Sequence, residues 1–168
     1  LCALTLAMTS PSSWARLGES TEEADARYGA PLFTETVPNS SWTLKYYLKN
    51  VYMIILTFGN DGKVHGISYS SPNLKNPVFA AALREKNGKA IAEVLKTVCR
   101  DLTYDEVNYF LKANSGGNTW DELLAGAVWR LPDSTIASYD SYTNQLSIYK
   151  KDLSDFISLE KEGNLSGL

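Results

Sequence analysis

The residues that could carry out catalysis are few in this chain. It has one histidine, His65, and two cysteines, Cys2 and Cys99. Any Ser-His-Asp or Cys-His catalysis would therefore have to use His65 as its general base. His65 lies in an alternating, strand-like segment, where a histidine on the sheet surface is the simpler interpretation. A hydrolase that uses His65 is the alternative hypothesis for function, and a Cys99–His65 pair stays open.

Metal and acid–base sites have little support in the sequence. A single histidine makes a tightly held zinc ion implausible, and no Asp-x-Asp-x-Asp-Gly run offers a calcium loop. Carboxylates occur as the neighbouring pairs Glu22-Glu23, Asp105-Glu106 and Asp121-Glu122. The first two suit helix starts, and the third adjoins Trp120 in a predicted helical or loop turn. We therefore expect no glycosidase-like carboxylate pair, no metal and no cofactor.

The aromatic residues are the remaining candidates for function. Tyrosine and tryptophan give interfaces large rigid contact areas, although strands favour these residues without any partner. In the segment 42–49, Tyr47 alternates out of phase with Tyr46 and stands between Lys45 and Lys49. We expect Tyr47 on the outer, exposed sheet face and Tyr46 in the core. The predicted binding residues are Tyr47, Lys45, Lys49 and Tyr142.

Composition narrows the class of partner. The chain has 168 residues, with 19 acidic and 16 basic side chains, and the basic ones are scattered. Nucleic-acid binding normally needs a concentrated positive face, so we expect no nucleic-acid partner. No segment is long and apolar enough to span a membrane.

The first fifteen residues differ from the rest. Residues 1–8 are apolar and uncharged, and the small residues Ser13 and Ala15 occupy the positions that signal peptidase reads. We interpret residues 1–15 as a truncated signal peptide cleaved before Arg16, which predicts a periplasmic or extracellular protein. A loosely packed arm is the alternative. Cys2 precedes the apolar run, whereas a lipidated cysteine follows one, so we expect no lipid anchor.

Cys99 is the one cysteine after that segment, so no intramolecular disulfide is expected in the mature chain. It follows Ile91, Leu95 and Val98 at helical spacing, which predicts a buried and unreactive thiol.

Two helix starts organise the chain. Ser20 stands three residues before Glu23, and Thr103 stands three before Glu106. Each pair forms a capping box, in which the hydroxyl and the carboxylate satisfy free amides of the first helical turn. Strand-like sequence follows each helix. The pattern predicts an α+β fold of two tandem helix-plus-antiparallel-sheet units joined by a helical segment.

The predicted boundaries follow from turn and helix-breaking residues. They are a first unit at 16–72, a helical connector at 73–100 broken near Asn87-Gly88, a second unit at 101–157 and a flexible tail at 158–168. The predicted strands are 42–49, 52–58 and 63–69, then 126–131, 135–139 and 145–149.

The first unit resembles a known repeat. Gly18-x-Ser20, Ala24 and Tyr28-Gly29-x-Pro31, followed by the hairpin around Phe58-Gly59-Asn60-Asp61-Gly62, resemble the helix-then-sheet repeat of small periplasmic lipoproteins of the outer-membrane assembly machinery. Similar units build the β-lactamase inhibitor proteins. The resemblance covers residues 18–70. The second unit lacks the Gly-x-Pro ending, and no lipid-bearing cysteine precedes the first, so membrane anchoring is not carried over.

The whole chain is also similar to exported bacterial proteins of uncharacterised activity, at Asn114-Ser115-Gly116-Gly117-x-x-Trp120 and Ile136-Ala137-Ser138-Tyr139-Asp140. Together these features predict an exported, non-catalytic binding or envelope-assembly module. We expect it to recognise a protein partner in the bacterial envelope through an aromatic sheet face.

Overall fold

The fold is taken from a computed structural model, which describes residues 16–151. In that part of the chain there are four helices: α1 (Thr21–Tyr28), α2 (Pro77–Glu85), α3 (Gly88–Val98) and α4 (Tyr104–Asn114). The nine strands are β1 (Phe33–Thr36), β2 (Thr43–Lys49), β3 (Tyr52–Phe58), β4 (Val64–Pro72), β5 (Cys99–Arg100), β6 (Asp121–Leu124), β7 (Val128–Arg130), β8 (Ile136–Asp140) and β9 (Gln145–Tyr149). The predicted signal peptide at 1–15 and the predicted tail at 158–168 lie outside the described residues, as do residues 152–157 of the predicted second unit.

The strands form one antiparallel sheet, and the predicted α+β fold is confirmed. The strand order is β1-β2-β3-β4-β9-β8-β7-β6, with β5 paired to the end of β4. Strands β1–β4 and β6–β9 are two four-stranded meanders, each preceded in the chain by a helix with a capping box. They meet where β4 pairs with β9. Whether the two groups superimpose as repeats stays a prediction.

Both capping boxes are present. The Ser20 Oγ accepts from the Glu23 amide at 3.3 Å, while the Glu23 carboxylate accepts from the Ser20 amide at 2.7 Å. Thr103 and Glu106 repeat this exchange at the start of α4, with the same two distances. The spacing that identified both helix starts in the sequence therefore acts as expected.

The connector is broken at Asn87-Gly88, as the sequence predicted. Asn76 and Asn87 cap α2 and α3, and Lys86 between the helices takes a φ of 51°. A Cβ at Gly88 would lie 1.6 Å from the Glu35 carboxylate, so a larger residue there would force the Glu35 side chain to move. The two helices therefore fold back on each other at this point.

Helices cover both faces of the sheet. The first face carries Tyr47, Ile54, Tyr69 and Leu146, which lie opposite one another across four strands. Helices α1 and α4 pack on this face, and the Phe110 ring of α4 stacks on Tyr69 with centroids 4.1 Å apart. The buried residues of this layer are Ala24, Tyr47, Ile54, Leu56, Phe58, Val64, Ile67, Tyr69, Leu102, Val107, Phe110, Leu111, Trp129, Ala137, Leu146 and Ile148.

The second face is covered unevenly. Helices α2 and α3 pack over β1–β3, where they bury Tyr46 and Met53 against Phe79, Ile91 and Leu95. On β9, by contrast, the second-face residues are only half-buried, whereas the first-face residues are buried. The helical layer therefore protects the first meander on both sides and the second meander on its first face.

Three strands were not predicted, and one local prediction was wrong. β1, β5 and β6 are short, and the segment of β6 was expected to be a helical or loop turn. Instead, Asp121 pairs with Arg130 and Glu122 with Trp129 at the edge of the sheet. All four residues of β6 are exposed, so the alternation that marks a half-buried strand is missing from its sequence.

Removing the second cap tests the helix-start assignment. We expect Thr103→Ala to lower the free energy of unfolding by about 1 kcal/mol, because the Glu106 amide in the first turn of α4 loses the Thr103 hydroxyl as its acceptor. Urea denaturation measures the loss. Ser41→Ala, at an exposed loop residue, is the control and should change stability by less than about 0.5 kcal/mol. Equal stabilities of the two variants would contradict a working cap.

Candidate functional site

The predicted position of Tyr47 was wrong. Its side chain is buried, with 1% of its surface exposed, and so is its neighbour Tyr46 with 3%. The Tyr47 hydroxyl donates to the Asp25 carboxylate of α1 at 2.6 Å, and its ring lies 5.2 Å from that of Tyr28. Alternation placed Tyr47 correctly opposite to Tyr46, but α1 covers the face that was expected to be open.

The two lysines beside Tyr47 also contact α1. Lys45 Nζ lies 2.9 Å from the Asp25 carboxylate, and Lys49 Nζ donates to the Arg27 carbonyl at 3.3 Å. Burial opposes ionisation of Asp25, yet hydrogen bonds from Tyr47 and Lys45 lower the pKa of its carboxyl. Helix α1 therefore packs on the surface formed by Lys45, Tyr47 and Lys49.

Tyr142 is the predicted binding residue that the structure leaves accessible. It lies between β8 and β9, and 82% of its surface is exposed. The Asp140 carboxylate accepts from the Tyr142 amide at 2.8 Å, which fixes the turn. The same turn is joined to β5, because Asn144 Nδ2 donates to the Cys99 carbonyl at 3.1 Å.

Strand β5 connects several segments at this end of the sheet. Cys99 lies opposite Pro72 and Arg100 opposite Ser71, in the part of β4 that extends beyond its pairing with β3. Cys99 is half-buried and lies in β5, whereas the sequence predicted a buried cysteine on a helical stripe. Its partial burial still raises the pKa of the thiol, which disfavours the reactive thiolate. The β2–β3 turn and the β8–β9 turn lie at the same end.

A polar network holds β5 against α4. Arg100 donates to both oxygens of the Glu106 carboxylate, at 2.8 and 2.5 Å, and the Tyr52 hydroxyl donates to it at 2.5 Å. The hydrogen bonds from Arg100 hold the pKa of Glu106 well below its usual range, against a smaller opposing effect of burial. Glu106 therefore caps α4 and also fixes Arg100.

An open groove of about 490 Å³ lies beside β5. Its walls come from the β2–β3 turn, the end of β4 and the end of α3. The lining residues are Val51, Ser71, Pro72, Asn73, Leu74, Lys75, Val98 and Arg100. Val51 and Leu74 are exposed apolar residues, with 47% and 38% of their surfaces accessible. We call Val51, Leu74, Lys75 and Arg100 of this groove, together with Tyr142 of the β8–β9 turn at the same end of the sheet, the β5 surface.

The sequence predicted Tyr142 as a binding residue, which stays a prediction, and it did not indicate the other members of the β5 surface. Its members come from the β2–β3 turn, from the residues after β4, from β5 and from the β8–β9 turn. No local spacing connects them. The signal in the sequence was the placement of the apolar residues Val51 and Leu74 in turn segments.

His65 lies at the other end of β4. Its Nε2 is 3.0 and 3.1 Å from the two oxygens of Asp61, and the ring of Trp42 meets its ring edge-on at 5.3 Å. Cys99 pairs with Pro72, which separates it from His65 by roughly 20 Å along an extended strand. The Cys99–His65 pair that the sequence left open is therefore not formed.

Metal and membrane sites find no support in the described residues. Between residues 16 and 151, no three His, Cys, Asp or Glu side chains cluster in a way that could hold a metal ion. No helix in the same range is long and apolar enough to cross a membrane.

Comparison with known proteins adds no further assignment. No family model matches this chain, and no curated protein or solved structure matches it.

Substitution of the tyrosines tests the revised positions. Tyr47→Ala should destabilise the protein by about 3 kcal/mol, since it leaves a cavity under α1 and removes a partner of Asp25. Tyr142→Ala should cost less than about 0.5 kcal/mol, because the side chain is exposed. Thermal melting of both variants measures the difference. A Tyr47→Ala protein as stable as Tyr142→Ala would show that α1 does not cover this face.

The lowered pKa of Glu106 predicts a pH dependence. A carboxyl group with a depressed folded-state pKa stabilises the fold above its unfolded-state pKa, about 4.3, and loses this effect as the pH falls below that value. Glu106→Gln should therefore lower stability by roughly 1 to 2 kcal/mol at neutral pH, and the gap to wild type should narrow between about pH 5 and pH 2. Melting temperatures across this range measure it, with exposed Glu85→Gln as control. A gap that is constant with pH would be evidence against the Arg100–Glu106 pair.

Proposed function

We propose that the protein is a non-catalytic binding module that recognises a protein partner through the β5 surface. The observation that carries the proposal is an open groove lined by the exposed apolar residues Val51 and Leu74, with the exposed Tyr142 in the β8–β9 turn at the same end of the sheet. Val51, Leu74 and Tyr142 have 47%, 38% and 82% of their surfaces exposed. Apolar side chains grouped around a cleft are typical of interaction sites, whereas isolated ones are common everywhere.

The composition of the β5 surface fits protein recognition. An aromatic side chain and an arginine are the residue types that dominate protein interfaces, and Tyr142 and Arg100 supply them here. Arg100 is held in place by Glu106, so it loses little conformational freedom when a partner binds. The proposal moves the predicted interface from the face of β2 to the end of the sheet.

Binding has better support than the hydrolase alternative. A hydrolase based on His65 needs a nucleophile within hydrogen-bond reach, and Cys99 is at the opposite end of β4. The Asp61 carboxylate that contacts His65 belongs to a tight turn, where its Oδ1 also accepts from the Lys63 amide at 3.0 Å. The contact is explained by the hairpin that joins β3 to β4.

The cellular location of the protein is the second part of the proposal. We propose that the protein is exported and meets its partner in the bacterial envelope or outside the cell. The support is the apolar, uncharged sequence of residues 1–8 and the small residues Ser13 and Ala15.

Site-specific photocrosslinking tests the β5 surface. Tyr142 is replaced by benzoylphenylalanine in cells that naturally produce the protein, and Tyr109, an α4 tyrosine with 52% exposure, is replaced in a matched control. We expect one discrete crosslinked protein from position 142 and none from position 109, because only the first position lies on the β5 surface.

A second substitution tests whether the crosslink at position 142 depends on the groove. Leu74→Ser should reduce the crosslink at position 142 several-fold, whereas Leu123→Ser, at an exposed leucine of β6, should leave it unchanged. Melting temperatures of the purified variants check that both fold. Equal crosslinking from positions 142 and 109, or no effect of Leu74→Ser, would contradict the proposal.

A further inference from the structure

The groove beside β5 combines an apolar lining with positive charge. Val51, Pro72, Leu74 and Val98 provide apolar surface, and Lys75 and Arg100 are its charged residues. No aspartate or glutamate is among the described residues that line it. The groove therefore favours a ligand with an apolar group and a negative charge close together.

Lys75 is the cation that a ligand can engage. Arg100 is already paired with Glu106. Within residues 16–151, the Lys75 ammonium has no carboxylate within ion-pair distance. Lys75 itself is exposed, and its backbone amide donates to the Asn73 side chain at 3.1 Å. This contact holds the turn that carries Lys75 and Leu74 at the rim of the groove.

We propose that the groove binds the carboxyl terminus of a partner protein whose last residue is apolar. The terminal side chain lies against Val51, Leu74 and Val98, and the α-carboxylate pairs with Lys75. A carboxylate one bond from the Cα of an apolar residue meets both requirements at once. The inference rests on the proposed function and specifies the chemistry of the partner.

The shape of the groove favours a peptide over a fatty acid. It is open to solvent rather than enclosed, at about 490 Å³. A long acyl chain in an open groove would leave much of its surface in water, which opposes binding. A peptide can place one side chain in the groove and keep its backbone amides hydrated outside it, so an open groove suits it better.

A pair of fluorescent peptides tests this assignment on the full chain. Both end in Ala-Leu-Val, one with a free carboxylate and the other with a C-terminal amide, and fluorescence anisotropy measures their affinities. The acid should bind about fivefold more tightly than the amide, in the range expected for one exposed charge pair. Lys75→Gln should remove this preference, while Lys96→Gln, at a lysine paired with Glu93 on α3, should keep it.

The outcomes separate this inference from the proposed function. Equal binding of acid and amide, or binding of neither peptide, overturns the inference. Binding of decanoate without binding of either peptide also overturns it and identifies a fatty acid as the occupant. If the crosslink at Tyr142 still depends on Leu74 in these cases, the protein-binding function stands and only the terminal-carboxylate assignment fails.

Discussion

The pairing of β4 with β9 is the constraint on which the rest of the fold depends. It joins two antiparallel meanders into one sheet and sets Tyr69 opposite Leu146 and Ile67 opposite Ile148 on the first face. Because these residues share one layer, the helices α1 and α4 bury a common core rather than two separate ones. On the second face the same pairing brings the Ser68 and Ser147 hydroxyls within 3.1 Å. A one-residue slip would exchange these two sets of side chains.

The length of β4 links this central pairing to the groove. β4 has nine residues, two more than β3, so its end extends beyond the pairing with β3 and pairs with β5 instead. This extension draws the end of α3 to the sheet and places Leu74 and Lys75 immediately after the strand. The groove is therefore a consequence of unequal strand lengths in the centre of the sheet.

Features encoded by neighbouring residues were predictable, and features set by distant contacts were not. The Ser20–Glu23 and Thr103–Glu106 spacings identified both capped helices, since each interaction lies within one helical turn. Alternation in β2 separated Tyr46 from Tyr47 correctly. Alternation could not show that α1 covers Tyr47. Lysines beside a strand tyrosine give the same sequence pattern whether they face water or, as Lys45 does, the Asp25 carboxylate of a helix. Strand β6 carries no alternation, so only its pairing with β7 identifies it.

In the candidate site, too, features set by neighbouring residues were predictable and features set by distant contacts were not. The exposure of Tyr142 was predictable, because the residues around it form a polar turn between two strands, whereas the position of Val51 and Arg100 beside one groove depends on β5. The Arg100–Glu106 contact ties one wall of the groove to α4, and the pairing of β5 with β4 fixes the adjoining wall. The β4–β5 side of the groove is thus held by helix and strand contacts, while Val51, Leu74 and Lys75 belong to the turns that complete it. Contacts of this kind reduce the conformational entropy that the β4–β5 side of the groove would lose on being occupied, because its backbone is already fixed in the free protein.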